Sequence, residues 1–441
     1  MTTARGYLDW NATTPLCDEA REAMKGTEES AWANPSSLHA MGRAAAAVCD
    51  GVRPTIASLA GLGREGAVCL VSGGTEANNL GLAAPFSDRK GGLLVTSPME
   101  HASTLEAARR LARNEDVRVE KLQPNRAGQL DPGQLESLLR RRDAQKPALV
   151  ALHGVHHETG AIQPLQDFYA VARRYGAQVH LDAVQTAGKI PVAAYAGADS
   201  VALAAHKIRG PRGIGAFVRQ SGTPCRPLLF GGSQEGGLRP GTTCTTLAAG
   251  FGAAAQRALD SGPQRQAGIA RLRDALEAGL LAQGAQALLS PDGRRAAHVA
   301  YVLAPKGWRR GDDLVLALSA LGVYASPGSA CSTCQRRPSE GITAILGGHE
   351  PLAQTGVRFS LGELTTEDDV ADALEAFGRV AHAPGAFVRK GDTLAAIAFR
   401  YHLAVADLLG MNPERLSPET LTFQPHGWEA ALVEAERLNL P

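Results

Sequence analysis

The sequence lacks the features that mark exported and membrane proteins. Its N-terminus has no apolar signal-peptide core, and no run of about 18 apolar residues occurs along the 441 residues. The formal net charge is only +1, so no excess of either sign indicates a nucleic-acid or membrane surface. We therefore expect a cytoplasmic protein with neither nucleic-acid nor membrane partners.

Cysteine is also scarce. Seven cysteines in a chain of this size do not form a disulfide framework, and we expect most of them to be buried and reduced. Cys331 and Cys334 form a single C-x-x-C pair, and there is no second pair to complete a structural zinc site. We therefore predict no bound metal.

The length and the apolar pattern indicate more than one domain. Hydrophobic content of 44% is ordinary for a soluble globular protein, but 441 residues exceed one compact core. Between residues 65 and 220, apolar runs alternate with stretches of helical spacing, which predicts an α/β domain with a mostly parallel sheet covered by helices. Strands are expected at 68–71, 93–96, 148–152, 178–182, 200–204 and 216–218, and helices at 76–84, 104–111, 132–141 and 164–175.

A long alanine-rich helix over 247–285 is expected to lead into a smaller α+β domain. That domain would have strands at 298–303 and 322–325 and helices at 312–321 and 366–380, and the N-terminal segment would complete it. The predicted division is an N-terminal segment over 1–25, a large domain over 26–260, a small domain over 261–380, a separate module over 385–428 and a terminal helix over 429–441.

Lys207 lies between an apolar strand and a glycine-rich turn, where packing gives little reason for a lysine. Such a lysine can form a Schiff base with an aldehyde cofactor. Asp182, at the end of an earlier buried strand, can hold a protonated pyridine nitrogen. Pyridoxal phosphate (PLP) chemistry needs both groups. Taken alone, Lys207 is explained more simply as a surface lysine beside a turn.

Further candidate cofactor-binding residues lie shortly after other predicted strands. The turn that ends in Gly74 and Thr75 opens a helix, and its free N–H groups and helix dipole suit a phosphate. His101 could stack on a pyridine ring and move protons near neutral pH. His206 could donate to the phosphate, and Gln185 could hydrogen-bond a phenolic oxygen. Taken alone, His101 is better explained as a capping residue of the helix over 104–111, and each of the others fits a purely structural role equally well.

Taken together, the motifs resemble one family. They occur in order over residues 5–380 and include Asn34-Pro-Ser-Ser-Leu-His39, Ser72-Gly-Gly-Thr-Glu76, His180-Leu-Asp182-Ala-Val-Gln185, His206-Lys207, Arg239-Pro-Gly-Thr242, Ser329-Ala-Cys331 and Val357-Arg358-Phe-Ser-Leu-Gly362. The set is similar to the cysteine desulfurases of the class V aminotransferase group, with an active-site loop like that of the iron–sulphur assembly type.

The resemblance implies a fold-type I PLP enzyme that works as a homodimer. Lys207 would hold the cofactor, Asp182 its pyridinium and His101 its ring face. Arg358 would bind the substrate carboxylate, a bidentate task suited to guanidinium, and Asn34 is a further expected substrate contact. The phosphate would be held by Gly74, Thr75 and His206, with Thr242 reaching over from the neighbouring subunit.

The implied reaction converts L-cysteine to L-alanine. Lys207, with His101, would move the Cα proton. Cys331, as the thiolate, would attack the substrate sulphur and carry a persulfide to a sulphur-acceptor protein or carrier. Gly328-Ser-Ala-Cys331 is a segment of small residues, as a swinging loop requires.

Three positions depart from the family pattern. His156 and His157 stand where two asparagines are usual, and Ala204 replaces a phosphate-binding serine. His157 would still reach the phenolic oxygen, but imidazole is larger than an amide and it titrates. One interpretation is neutral drift in a working desulfurase. The other is a PLP-dependent lyase or β-substitution enzyme that acts on a different cysteine-like amino acid. For Cys334, a redox pair, a metal half-site, a resolving thiol and an accidental neighbour all stay open.

The tail resembles a LysM module, on Gly391-Asp392-Thr393-Leu394, Ile397-Ala and Asn412-Pro413. Asp392 or Thr393 would cap a helix, and a short strand is expected at 420–424. Such modules commonly bind N-acetylglucosamine polymers. Docking of a partner, or support of the dimer, are alternatives, and the ligand is unknown. A function of another class also stays open, in which a PLP-type fold serves mainly as a recruiting protein through this tail.

Overall fold

The computed structural model describes residues 5–86, 91–114, 116–291, 293–308, 310–328 and 338–381, together with short pieces of the tail. Those pieces are 386–387, 394, 397, 406, 409, 421–424, 427–430 and 437–438.

Seven strands form the central sheet of the large domain. Their order is β1-β7-β6-β5-β4-β2-β3, and every neighbouring pair is parallel except those made by β7. The strands are nearly continuous apolar runs because both faces of a parallel sheet are covered. This confirms the predicted α/β fold. The strands are β1 Ala67–Val71, β2 Gly92–Thr96, β3 Val117–Lys121, β4 Ala148–His153, β5 Gln178–Asp182, β6 Ser200–Ala204 and β7 Gly215–Arg219.

Helices alternate with these strands where the sequence predicts them. The helix at Pro132–Arg140 begins where Asp131 accepts a hydrogen bond from the Gly133 N–H, with Pro132 at the first helical position. The helices of the large domain are α1 Asp18–Ser30, α2 Ala40–Leu59, α3 Gly74–Ala83, α4 Ala102–Asn114, α5 Pro132–Arg140 and α6 Leu165–Arg174. Single 3-10 turns lie at Ala84–Phe86, Val192–Ala194, Ala205–Lys207 and Gln234–Gly237.

The long helix α7, Thr245–Ala282, packs against α1 and α2 and also against the small domain. The small domain contains a three-stranded antiparallel sheet of order β10-β9-β8 with its own apolar core. Its last helix starts with a capping box between Thr366 and Asp369. The elements are β8 Gln286–Ala287, β9 Val299–Leu303, α8 Gly311–Ala320, α9 Glu340–Ile345, α10 Glu350–Ala353, β10 Gly356–Ser360 and α11 Glu367–Val380.

The N-terminal segment joins the small domain through single bridges, Tyr7 to Tyr324 and Asp9 to Ser360. The strand expected over 322–325 is reduced to the bridge at Tyr324. Gly322 has a φ of +84°, a left-handed conformation that interrupts extended backbone.

The tail forms two short antiparallel pairs. β11 Ala386–Phe387 pairs with β14 Arg437–Leu438, and β12 Leu421–Gln424 pairs with β13 Gly427–Ala430. The strand expected at 420–424 is confirmed. The terminal helix expected over 429–441 is wrong where the chain is described, because β13 and β14 are extended. In β13, Trp428 is the register partner of Phe423, and aromatic residues favour strands.

Within the described part of the chain, none of the helices combines the length and apolarity that a bilayer span requires.

We expect Gly81→Ala to destabilise the fold, because α3 approaches β5 closely there. A Cβ at Gly81 would lie 2.2 Å from the ring of His180, and neither element can move freely. The loss should be about 1–3 kcal/mol, measured as a lower urea midpoint by circular dichroism. Gly51→Ala is the matched control, since a Cβ there meets nothing within 4 Å and alanine favours a helix. Equal midpoints for the two variants would contradict this account of the packing.

Candidate active site

A cavity of about 310 Å³ opens at the carboxyl ends of β4, β5 and β6, beside the start of α3. This is the edge at which open α/β sheets bind ligands. Nine of the residues singled out from the sequence line it. They are Gly74, Thr75, His101, His157, Asp182, Gln185, His206, Lys207 and Arg358.

Asp182 is the last residue of β5 and is buried. Its carboxylate accepts hydrogen bonds from Asn78 Nδ2 at 2.8 Å and from the Val184 N–H at 3.0 Å. These two donors fix the orientation of the carboxylate. A fixed carboxylate in a cavity wall suits a cationic ring nitrogen.

Asn78 links Asp182 to two further groups. Its Nδ2 lies 2.9 Å from Ser103 Oγ, and its Oδ1 lies 3.1 Å from His180 Nε2. Burial lowers the pKa of His180 to about 4, so the ring is neutral, donates from Nε2 and accepts at Nδ1 from Ser200 Oγ. The sequence analysis did not assign Asn78 or Ser103 a role, although Asn78 lies in the helix that the glycine-rich turn opens.

His101 follows β2 and is held by Ser103. The Ser103 N–H donates to His101 Nδ1 at 3.1 Å, and Ser103 Oγ lies 2.8 Å from the same nitrogen. Burial lowers the pKa of His101, while the charge of Asp182 raises it and that of Lys207 lowers it. The ring is therefore neutral at physiological pH and fixed in orientation.

Lys207 ends the 3-10 turn that follows β6. Its Nζ donates to the backbone carbonyls of Asn11 and of Ala12, the latter at 2.8 Å. The turn needs glycine at position 210, because a Cβ there would lie 2.9 Å from the Ala205 carbonyl oxygen. The amine thus lies in the cavity wall, tied to the N-terminal segment.

Gly74 and Thr75 form the N-terminus of α3, whose free N–H groups and dipole favour an anion. Glycine is required at position 74, because a Cβ would lie 2.7 Å from Val184 Cγ2. His206 lies nearby with Nδ1 3.1 Å from Thr13 Oγ1, and burial, followed by Lys207, lowers its pKa to about 4. Ala204 contributes only a methyl group to this part of the cavity wall.

Arg358 lies on β10 of the small domain and lines the cavity. Its side chain is buried, with 3% of the residue exposed. Its Nη2 lies 2.6 Å from Asp9 Oδ1, and its Nη1 donates to the His157 carbonyl at 3.1 Å. The buried Nε has no hydrogen-bond partner among the described residues. A guanidinium in this position can take a carboxylate.

Four histidines form a continuous row into the cavity. Ring centroids are 5.2 Å apart for His153 and His156, 4.9 Å for His156 and His157, and 5.5 Å for His157 and His101. Burial, then the neighbouring histidines, hold the pKa values of His156 and His157 well below the usual range, with Arg358 adding to the effect. His156 and His157 are therefore neutral, whereas His153 at the far end of the row lies with Nδ1 2.8 Å from Glu100 Oε1.

His156, His157 and Glu158 offer ligand atoms that all lie within 4.8 Å of one another. Neighbouring ligands around a zinc ion are roughly 3.3 Å apart, given bonds of about 2.1 Å. The cationic Arg358 beside them also opposes a metal ion. We interpret the group as packed neutral imidazoles rather than as an assembled metal site.

Two predicted residues lie elsewhere within a single chain. Asn34 and Thr242 are exposed and do not line the cavity, and Asn34 Oδ1 accepts from the Ser36 N–H at 2.9 Å. Cys331 and Cys334 lie outside the described residues. The cavity nevertheless offers an amine, a fixed carboxylate and a helix N-terminus, which together fit an aldehyde cofactor that carries a phosphate and a basic ring.

Comparison with known proteins agrees with this geometry. The model of the family described as aminotransferase class-V matches residues 6–373. The chain belongs to the class V aminotransferase family. A second family model, the LysM domain, matches residues 388–422 of the same chain.

Two curated proteins similar to this chain are named as cysteine desulfurases. The chain is 36% identical over 384 residues to "Cysteine desulfurase" of Cereibacter sphaeroides, which covers 84% of this chain and 94% of the relative. It is 34% identical over 386 residues to "IscS-like cysteine desulfurase" of Mycobacterium tuberculosis, with 86% and 96% covered.

Two solved structures also superpose well on this chain. A NifS-like protein gives a TM-score of 0.75 at 29% identity and covers 85% of this chain and 99% of its own. The structure titled "SspA in complex with cysteine" gives 0.68 at 28% identity, with 81% and 98% covered.

The buried neutral histidines predict that the fold loses stability as the pH falls. The pKa values of His180 and His206 are about 4, and His156 and His157 are also lowered, whereas histidine in an unfolded chain titrates near 6.5. Below about pH 6.5 the unfolded chain therefore binds more protons, so the free energy of unfolding should drop by up to about 1.4 kcal/mol per pH unit for each histidine.

Urea midpoints measured from pH 7.5 to 5.5 check this. His180→Asn should flatten the decline, whereas the same replacement at the exposed His349 serves as the control for loss of a surface imidazole. A stability that stays level across this range would contradict the neutral burial of these rings.

Proposed function

We propose that this chain is a PLP-dependent cysteine desulfurase that works as a homodimer. The observation that carries the proposal is the meeting of Lys207, Asp182 and His101 around one cavity that also contains a helix N-terminus. The family and the cysteine desulfurase relatives support the same activity.

PLP, when bound, supplies a ring that takes up negative charge from the substrate Cα. Lys207 would hold the cofactor at one end of the cavity, and Gly74, Thr75 and His206 would hold its phosphate. Asp182, oriented by Asn78, would keep the ring nitrogen protonated. The neutral His101, fixed by Ser103, would lie against the ring face.

Arg358 would hold the carboxylate of L-cysteine. Its Nε is buried without a partner among the described residues, and its Nη2 is shared with Asp9. A substrate carboxylate would use the remaining donors and fix the Cα in the cavity. Lys207 would then take the Cα proton, because its amine lies in the cavity wall.

Cys331 would complete the reaction as a thiolate. A bond forms between its Sγ and the substrate sulphur while the substrate C–S bond breaks, and the bonding electrons remain with the substrate. Protonation of the substrate carbon then gives L-alanine. The sulphur stays on Cys331 as a persulfide for an acceptor protein or carrier.

The homodimer is supported by apolar side chains that a single chain leaves in water. Trp32 is 64% exposed, and Leu38 and Phe230 are each 90% exposed. Trp32 and Leu38 flank Asn34, and Phe230 lies in the segment that leads to Thr242. Large exposed apolar groups of this kind indicate an interface. A second subunit would bring Thr242 to the neighbouring cavity.

A cytoplasmic location is part of the proposal. Among the described residues, five cysteines are free: Cys17, Cys49, Cys69, Cys225 and Cys244. A reducing compartment also suits a thiolate nucleophile. For the LysM domain, docking of a partner or of a carrier-linked substrate fits an enzyme that passes sulphur onward.

A second candidate function rests on His157. Its imidazole lines the cavity edge-on to His101, at an interplanar angle of 78°, in place of the family's asparagine. A PLP-dependent lyase or β-substitution enzyme acting on another cysteine-like amino acid would use the same cavity but would need no persulfide on the protein.

We expect the PLP-loaded wild-type enzyme, incubated with L-cysteine without oxygen, to gain sulphur on Cys331 and release an equal amount of L-alanine. Cys331→Ser should lower alanine formation by at least about 100-fold, because a serine hydroxyl is a far weaker nucleophile toward sulphur than a thiolate. Intact-protein mass spectrometry and an alanine assay measure both results. Cys334→Ser is the matched control and should retain sulphur on Cys331.

Pyruvate in place of alanine, with full activity in Cys331→Ser, would reject the desulfurase and favour the lyase. No turnover of any cysteine-like amino acid, in a chain that also fails to bind PLP, would favour a recruiting protein.

A further inference from the structure

A second cavity, of about 60 Å³, shares Asn11 and Lys207 with the candidate active site but is otherwise lined by different residues. It lies between the N-terminal segment, α7 and the loop after β10. We call it the arginine cavity. It is defined by Trp10, Arg209, Arg257, Arg265, His298 and Glu363. None of these six residues has a role in the proposed reaction.

The charges around the arginine cavity do not balance. The Glu363 carboxylate pairs with Arg209 at 2.9 Å, Arg257 at 2.5 Å and Arg265 at 3.2 Å. Arg257 also reaches Glu19 at 3.1 Å. The lining thus holds three guanidinium groups around one carboxylate.

Two lysines, Lys189 and Lys207, also line the arginine cavity. Burial, followed by the charges of Lys207 and Arg358, lowers the pKa of Lys189 well below its usual range. A negative charge inside the cavity would act in the opposite direction and favour the charged amine of Lys189.

Several buried polar atoms of the lining lack a partner among the described residues. They are Trp10 Nε1, Asn11 Oδ1, Gln266 Oε1 and both ring nitrogens of His298. His298 is 3% exposed and Trp10 is 4% exposed, so bulk water does not satisfy them. An imidazole buried with two idle nitrogens is costly. This points to a molecule inside the cavity.

We propose that the arginine cavity is a binding site for a small anion of the halide or short-carboxylate class. Water alone would leave the excess positive charge of the arginines, whereas an anion offsets that charge and accepts hydrogen bonds from the idle N–H donors; the idle oxygens of Asn11 and Gln266 call for water beside it. The indole N–H of Trp10 and one N–H of His298 supply hydrogen bonds beside the guanidinium groups. A single water needs about 10–15 Å³, so 60 Å³ admits an ion of a few atoms and excludes a nucleotide.

The site is connected to the candidate active site. Lys189 donates to Gln185 Oε1, and Gln185 Nε2 donates to the Asn11 carbonyl at 3.0 Å. An anion in the arginine cavity favours the charged form of Lys189 and so strengthens its bond to Gln185. This connection to the cofactor pocket rests on the proposed function, whereas the anion site itself does not.

Crystals of the full PLP-loaded chain, soaked in sodium bromide and measured at the bromine absorption edge, test the site directly. We expect an anomalous difference peak in the arginine cavity, between Arg265 and His298. Water alone in this cavity would overturn the proposal.

A solution test compares Arg265→Gln with Arg271→Gln. Both arginines lie on α7 and each pairs with one glutamate, but Arg271 is 74% exposed and outside the cavity. When bromide replaces gluconate at constant ionic strength, the thermal midpoint of wild type and of Arg271→Gln should rise by about 2 °C. The rise should fall below half of that in Arg265→Gln.

An equal rise in all three proteins, or no rise in wild type, would overturn the proposal. If Arg265→Gln fails to fold, the bromide map of the wild-type protein decides alone. Neither measurement reads desulfuration, so a failure here and a failure of the proposed function are distinguishable.

Discussion

The backbone carbonyl of Asn11 accepts hydrogen bonds from both Lys207 and Gln185, and the candidate site depends on this junction. Asn11 also donates from its side chain to the His157 carbonyl and from its N–H to Ser360 Oγ on β10. One residue of the N-terminal segment therefore joins the large domain, the small domain and the catalytic lysine of the proposed enzyme. Without it, Lys207 and Gln185 would each lose a hydrogen-bond acceptor, and the His157 carbonyl would lose a donor.

Burial is the second constraint, because it lowers the pKa values of His101 and His180 and so keeps both rings neutral. In the neutral state His180 donates to Asn78, which donates to Asp182, while His101 accepts from Ser103. Each bond fixes the next group, so the carboxylate and the imidazole are positioned before any ligand enters. Such preorganisation is how a site avoids reorganising during a reaction.

The sequence predicts strongly periodic elements well. Lys207, Asp182 and His101 could be predicted as site residues because each lies at or just after the end of a predicted strand. It did not predict α2, whose pattern is interrupted by Pro54, or β10, where the polar Arg358 breaks an apolar run. These elements form because they pack against α7 and β9, which is information from distant parts of the chain. The contacts of Asn78 and Ser103, and the arginine cavity, are likewise created by folding and leave no local pattern.

The most direct test of the account is whether PLP binds covalently through Lys207 in this cavity. Reduction of the PLP-loaded protein with borohydride, followed by peptide mass mapping, locates the lysine that carries the cofactor. We predict a single modified site at Lys207, and no modification in Lys207→Ala. Lys189 is the nearby alternative, since burial lowers its pKa and leaves its amine neutral. Modification at Lys189, or at no lysine, would contradict the assignment of the cavity as a PLP site.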